Sequence, residues 1–161
     1  MALRIEDYAM IGDCRTAALV GRDGSIDWLC VPRFDSGACF AALLGSPENG
    51  RWKLAPAERV EVRKVERRYR PGSMVLETEF TTGSGAVRIS DAMAIDSPTP
   101  TVARVVEGLR GEVPMRSELV IRFDYGWIVP WVTHHDRGIA AIAGPDKLRL
   151  RSWVEHHGEG A

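Results

Sequence analysis

Polar and apolar positions alternate with a period of two along most of this chain. In SMVLETEFTT (73–82), Met74, Leu76, Thr78 and Phe80 alternate with Val75, Glu77 and Glu79. Such a period puts one face of a strand on a core and the other in water. VPMRSELVIRFDYG (113–126) repeats it, with Met115, Leu119, Ile121 and Phe123 sharing a face. TAALVG (16–21) and SIDWLC (25–30) flank Arg22-Asp23-Gly24. Asp-Gly between two β-prone runs predicts a hairpin, because the tight turn needs positive φ. Further strands are expected over GRWKLAP (50–56), AVRISDAMAI (86–95) and TVARVVEGL (101–109), then in GWIVPWV, GIAAIAG and KLRLRSWVE. ERVEVRKVERRYR (58–70) also fits helical spacing through Val62, Val65 and Tyr69, but its β-branched content favours a strand. PRFDSGACFAALLG (32–45) breaks the alternation. There Pro32 stops a strand, Asp35 or Ser36 suits a helix cap and Gly45 a terminus, which predicts one short helix near residues 37–44. Trp28 and Phe80 follow the alternation of their strands into the core.

Many short strands with turn signals every ten or so residues argue an all-β fold, a mainly antiparallel β-sandwich. With 161 residues, one domain over 1–161 can bury a real core. The formal net charge of −1 gives no global field for nucleic acid or an anionic membrane, so neither is expected as a partner. No apolar run approaches the ~20 residues needed to cross a bilayer. MALRIEDYAM lacks the features of a signal peptide, and the default location is cytoplasmic. Cys14, Cys30 and Cys39 are odd in number and form no C-x-x-C pair. Free thiols are expected, with no metal site and no cofactor.

Four carboxylates crowd the stretch 11–45. Asp23 reads as a turn residue and Asp35 as a helix cap. Asp27 alternates with Ile26 and Trp28 and is expected to face water, while Asp13 suits a local backbone bond or a pair with Arg15. His134-His135 and His156-His157 are neighbours that would point to opposite faces of a strand, so they are poor co-ligands. Arg59, Arg63, Lys64, Arg67, Arg68 and Arg70 interleave with Glu58, Glu61 and Glu66, which fits a solvated strand face better than a phosphate groove. Trp127 and Trp131, with Tyr125, are either packing residues or a sugar-stacking platform. No catalytic constellation emerges from these residues.

The ordered series IEDYAMIGDCRTAALVGRDGSIDWLCVPRFDSGACFAALLG, GRWKL, RRYRPGSMVLETEF, RISDAMAI and RFDYG resembles the N-terminal region of the bacterial proteins of glycoside hydrolase family 15, the glucoamylase and trehalase-like enzymes. Cys14 and Gly37 stand where Gly and Pro are expected in many relatives. The resemblance implies a supersandwich-like β domain, shorter here and so incomplete, followed in such enzymes by an (α/α)₆ barrel. The barrel carries two glutamates, a general acid and a general base, that invert the sugar carbon across a bound water. No Glu of this chain matches those motifs. The resemblance therefore implies an inactive framing domain whose partner is the C-terminal catalytic barrel of an inverting hydrolase acting on α-glucosidic bonds. A stand-alone carbohydrate-binding module using Trp127 and Trp131, and a structural domain that forms homo-oligomers through exposed sheet edges, are the alternatives. Pro32, Arg33, Phe34 and Asp35 combine a rigid ring, a planar cationic fork, an apolar anchor and an acid. They are the candidates for a domain-docking or substrate-entrance loop.

Overall fold

A computed structural model describes residues 3–158. The predicted alternation is realised as thirteen strands among the described residues: β1 (Tyr8–Gly12), β2 (Ala17–Gly21), β3 (Ser25–Cys30), β4 (Ala38–Phe40), β5 (Arg51–Pro56), β6 (Val62–Tyr69), β7 (Leu76–Thr82), β8 (Gly85–Met93), β9 (Val102–Gly111), β10 (Met115–Val120), β11 (Trp131–His135), β12 (Gly138–Ala143) and β13 (Asp146–Arg151). They form three antiparallel sheets. The first runs β1-β2-β3-β5-β10, with β4 also paired to β3; the second runs β6-β7-β8-β9; the third is β11-β12-β13. The second sheet is thus inserted in sequence between β5 and β10, which are neighbours in the first.

The first two sheets face each other as a sandwich. Ile11, Ala18, Val20, Ile26 and Leu29 from the first meet Leu76 and Met93 from the second in one buried cluster. Leu54 meets Phe80, Val87 and Ile89 in another. Ala141 of the third sheet joins the larger cluster, with Ile139 and Leu148 against it. On β8 every second residue is buried, as a period of two requires. Phe80 is buried as expected, whereas Trp28 is only half-buried and leans on Cys30, Ala38 and Ala41. Met74 lies outside β7 and is exposed.

Between the sheets one charged pair is fully enclosed. Arg104 of β9 donates to Asp91 of β8 at 2.8 and 3.2 Å. It also donates to the carbonyl oxygens of Trp52 and Gly24, each at 2.7 Å, and so ties the second sheet to β5 and to the β2–β3 turn. Its guanidinium lies 5.2 Å from the Trp52 ring centroid.

The outer face of the second sheet carries the interleaved charges. Arg68 and Arg70 each reach Glu77 at 2.9 Å. Arg88 bridges Glu79 at 2.7 Å and Glu107 at 3.1 Å. The predicted solvated face is therefore a cross-strand ladder of ion pairs, while Arg67 points inward and donates to the Val20 carbonyl at 3.1 Å.

The expected helix near residues 37–44 does not form. Ala38, Cys39 and Phe40 extend as β4, with Leu29 opposite Phe40 and Cys30 opposite Ala38. Pairing commits those backbone groups to a ladder, and only a 3₁₀ turn, Ala42–Leu44, remains. Ser46 instead caps a second 3₁₀ turn, Pro47–Asn49, by accepting from the Glu48 amide. Asp35 consequently caps nothing; it accepts a bond from Arg33 Nε at 3.0 Å.

Candidate functional site

Connections on opposite ends of the sandwich differ in chemistry. At one end the β2–β3 turn is made as predicted: Gly24 has φ 82° and donates to the Gly21 carbonyl, and Asp23 accepts from Ser25 N and pairs with Lys53. Gly111, which ends β9, also has a positive φ, 60°. At the opposite end four non-glycine residues have positive φ: Cys14 (71°), Asp96 (59°), Asp124 (50°) and Tyr125 (58°). These are all the non-glycine cases among the described residues. An L-residue in that region costs about 1–3 kcal/mol and persists only where its surroundings over-determine it.

The loops that hold these residues are bonded to one another. Asp13 is buried and accepts from Thr16 N at 2.9 Å and Arg15 N at 3.0 Å, closing the β1–β2 turn around Cys14. Burial pushes the Asp13 carboxyl up, but those two amides and the Arg15 guanidinium outweigh it and hold it below its ordinary value. Arg15 then donates to the Ser97 carbonyl at 2.7 Å, beside Asp96, and accepts from the Phe34 amide at 3.0 Å. Tyr125 Oη donates to the Ser36 carbonyl at 3.4 Å, and its ring lies 5.9 Å from that of Trp28. Residues 13–16, 31–37, 95–101 and 122–128 thus form one connected surface.

The candidate loop lies within that surface. Ser36 N donates to the Arg33 carbonyl, and Arg33 N to Ser36 Oγ at 3.2 Å, so residues 33–36 form a tight turn after Pro32. Phe34 is 71% exposed, in sequence between the two members of the Arg33–Asp35 pair, which are themselves largely exposed. The hydrogen bond and charge of Arg33 hold the Asp35 carboxyl below its ordinary value. Pro32 also lines an open cleft of about 780 Å³, whose lining includes Val31, Phe40, Trp52 and Phe123 together with residues 145–151, the turn before β13 and β13 itself. Trp127 is 86% and Trp131 76% exposed. Trp127 closes the 3₁₀ turn Asp124–Gly126, whereas Trp131 begins β11, so the two stand on different elements.

Asp27 corrects the expectation that it faces water. The β2–β3 register slips between Leu19 and Val20, which makes Asp27 an extra residue on β3. A bulge re-aims a side chain, and this one turns inward. Asp27 is buried and accepts from Tyr8 Oη at 2.6 Å and from Ser25 Oγ. Burial, with the Asp27 carboxylate, pushes the Tyr8 phenol up. Cys30 and Cys39 are buried free thiols and Cys14 an exposed one; burial pushes Cys39 up to about 12. No group of three or more His, Cys, Asp or Glu among the described residues is arranged to hold a metal ion.

Residues 1–156 match the family described as "Trehalase-like, N-terminal". A trehalase of Thermoplasma volcanium is 30% identical over 155 residues, which is 92% of this chain and 25% of that protein. Trehalase 1 of Sulfolobus acidocaldarius is 33% identical over 137 residues, 85% of this chain and 23% of that protein. A trehalase of Mycolicibacterium smegmatis is 42% identical over 91 residues, 56% of this chain and 13% of that protein. The chain therefore spans a quarter or less of the length of these relatives. No solved structure gives a significant match. The chain belongs to the trehalase-like N-terminal domain family.

Proposed function

We propose that this chain is the non-catalytic N-terminal β-sandwich domain of a cytoplasmic, trehalase-like glycoside hydrolase of family 15 that acts on α-glucosidic bonds. Its role is to support and frame a C-terminal (α/α)₆ domain carrying the acid and base. The observation that carries this reading is the match itself: it covers 92% of the chain but a quarter of the Thermoplasma volcanium trehalase, so most of such an enzyme lies elsewhere. The chemistry of the carboxylates agrees. Asp13 closes a turn, Asp23 serves the hairpin, Asp27 is locked under Tyr8 and Asp35 pairs with Arg33. An inverting pair must instead flank the sugar about 6.5–9.5 Å apart with room for a water.

The connected loop surface is the face that meets the catalytic domain, with Pro32, Arg33, Phe34 and Asp35 at its centre. Glucose release from trehalose and maltose, assayed on the purified chain and on a protein that includes the helical domain, tests the assignment. Only the longer protein is expected to turn over. Release by the 161-residue chain that disappears in Asp27→Asn or Asp35→Asn places the reaction here and removes the framing role.

A further inference from the structure

We propose that the free edge of β13 binds an extended polypeptide segment in which acidic and apolar residues alternate, adding it as a further strand to the third sheet. β13 is paired on one side only, to β12. Its residues divide between two faces. Leu148 and Leu150 lie opposite Ala141 and Ile139 and turn toward the core. Lys147, Arg149 and Arg151 lie opposite Ile142, Ala140 and Gly138 on the other face, and all three are exposed. None of the three has an ion pair or a side-chain hydrogen bond among the described residues. On the second sheet, by contrast, Arg68, Arg70 and Arg88 each reach Glu77 or Glu79 of β7. β13 thus carries the cations of such a ladder without its acids.

The open cleft receives the other face of the added strand. It meets Asp146 to Arg151 without a gap. A space against one face of a strand meets mainly alternate side chains, so this one opens along the edge of β13 as well. It also reaches Val31, Phe40 and Phe123. A strand added at an edge continues both faces of its neighbour. Its apolar residues would extend the Leu148–Leu150 row into the cleft, and its acids would face Lys147, Arg149 and Arg151. Main-chain bonds then supply affinity and the side chains select the partner. β7 already has this character within the chain: Glu77 and Glu79 meet arginines on one face while Leu76 and Phe80 are buried on the other. Charge argues against a second β13 as the occupant. Antiparallel pairing of two copies that sets leucine with leucine also sets these cations against the same three cations, and like charges directly opposite are destabilising. Edge cations of this kind deter self-pairing; the apolar cleft beside them suits a strand of opposite charge.

The test is a fluorescence-anisotropy titration of the purified chain into a dye-labelled peptide that alternates Glu with Val. The same peptide with Lys in place of Glu is the control. The Glu peptide is expected to bind saturably and the Lys peptide at least about tenfold more weakly. The triple variant Lys147→Glu, Arg149→Glu and Arg151→Glu should reverse that preference with little change in melting temperature, because the three side chains are exposed and without partners. Alternate amides of a strand face one neighbour, so methylating every second amide of the Glu peptide should abolish binding in one phase and spare it when shifted by one residue. No saturable binding at peptide concentrations on the order of 1 mM overturns the proposal. Equal binding of the Glu and Lys peptides, a triple variant that keeps the original preference, or equal binding of the two methylated peptides overturns it as well. So does a dimer, seen by light scattering, that the Glu peptide dissociates, because a second copy then holds the edge. None of these outcomes touches the framing role, which the hydrolysis assay tests.

Discussion

Removing either member of the enclosed Arg104–Asp91 pair should destabilise the sandwich strongly. Both side chains are shut off from solvent. Arg104→Met removes two bonds to Asp91 and one each to the Trp52 and Gly24 carbonyls. The dominant cost is the carboxylate left charged and dry. Breaking a buried pair by removing one partner costs about 3–5 kcal/mol, against a total stability of ~5–15 kcal/mol. At roughly 2–4 °C per kcal/mol for a chain of this size, the melting temperature should fall by about 6–20 °C. Asp91→Leu leaves the opposite orphan and should fall by a similar amount. The double variant removes both charges and leaves only two carbonyl oxygens short of a donor, at ~1–3 kcal/mol each. It should therefore be more stable than the sum of the single losses predicts, with a coupling of about 2 kcal/mol or more. Circular dichroism melts and urea titrations of all four proteins give the cycle. A single variant melting within about 2 °C of the wild type, or strictly additive losses, refutes the idea that the pair is an obligate unit.

Other expectations follow from burial, backbone and charge. Phe80→Ala should cost about 3–5 kcal/mol, and Trp28→Ala clearly less because Trp28 is half-buried; equal losses in denaturant midpoints would contradict the packing described. Cys14→Gly should raise stability by about 0.5–1 kcal/mol, the relief of a left-handed residue at ~1–2 kcal/mol less the extra freedom of glycine when unfolded; a lower melting temperature would contradict it. Because the folded Asp13 carboxyl titrates below its ordinary value, its contribution is complete above about pH 4 and disappears as pH falls through the folded value. The stability gap between wild type and Asp13→Asn should thus narrow on acidification, and urea midpoints that stay a constant distance apart from neutral to acid pH would rule this out.

The strands were legible because the period of two survives wherever a strand has one wet and one dry face, as in β8. It fails where both faces are covered. β3 lies between β2 and β5 and buries five of its six residues, so alternation could not say which way Asp27 points, and the bulge that turns it inward has no local sequence signature. The helix expected near residues 37–44 is replaced by a strand for a related reason. Ala, Cys and Phe at 38–40 carry little intrinsic preference, and pairing to β3, a tertiary event, decides their state. Arg104 carries no signal of its own, but its partner does: Val87, Ile89, Asp91 and Met93 are the inward positions of one strand, and an acid in that row demands a buried cation. The connected loop surface is half legible. Composition alone picked out residues 32–35 and Trp127, but the bonds that join their loops span sequence distances no local pattern encodes.

The insertion of the second sheet between β5 and β10 also predicts an order of assembly. β6 to β9 are consecutive antiparallel neighbours, and hairpins close on the microsecond scale. Pro56 and Met115, by contrast, are paired across roughly 60 residues, a closure whose entropic cost must be met before its contacts repay it. A pre-formed meander shortens that gap by holding the ends of β6 and β9 on one rigid body. The first sheet is therefore expected to be completed last, by β10, and the loops that follow β10 to gain their bonds to residues 31–37 only when that closing step is done.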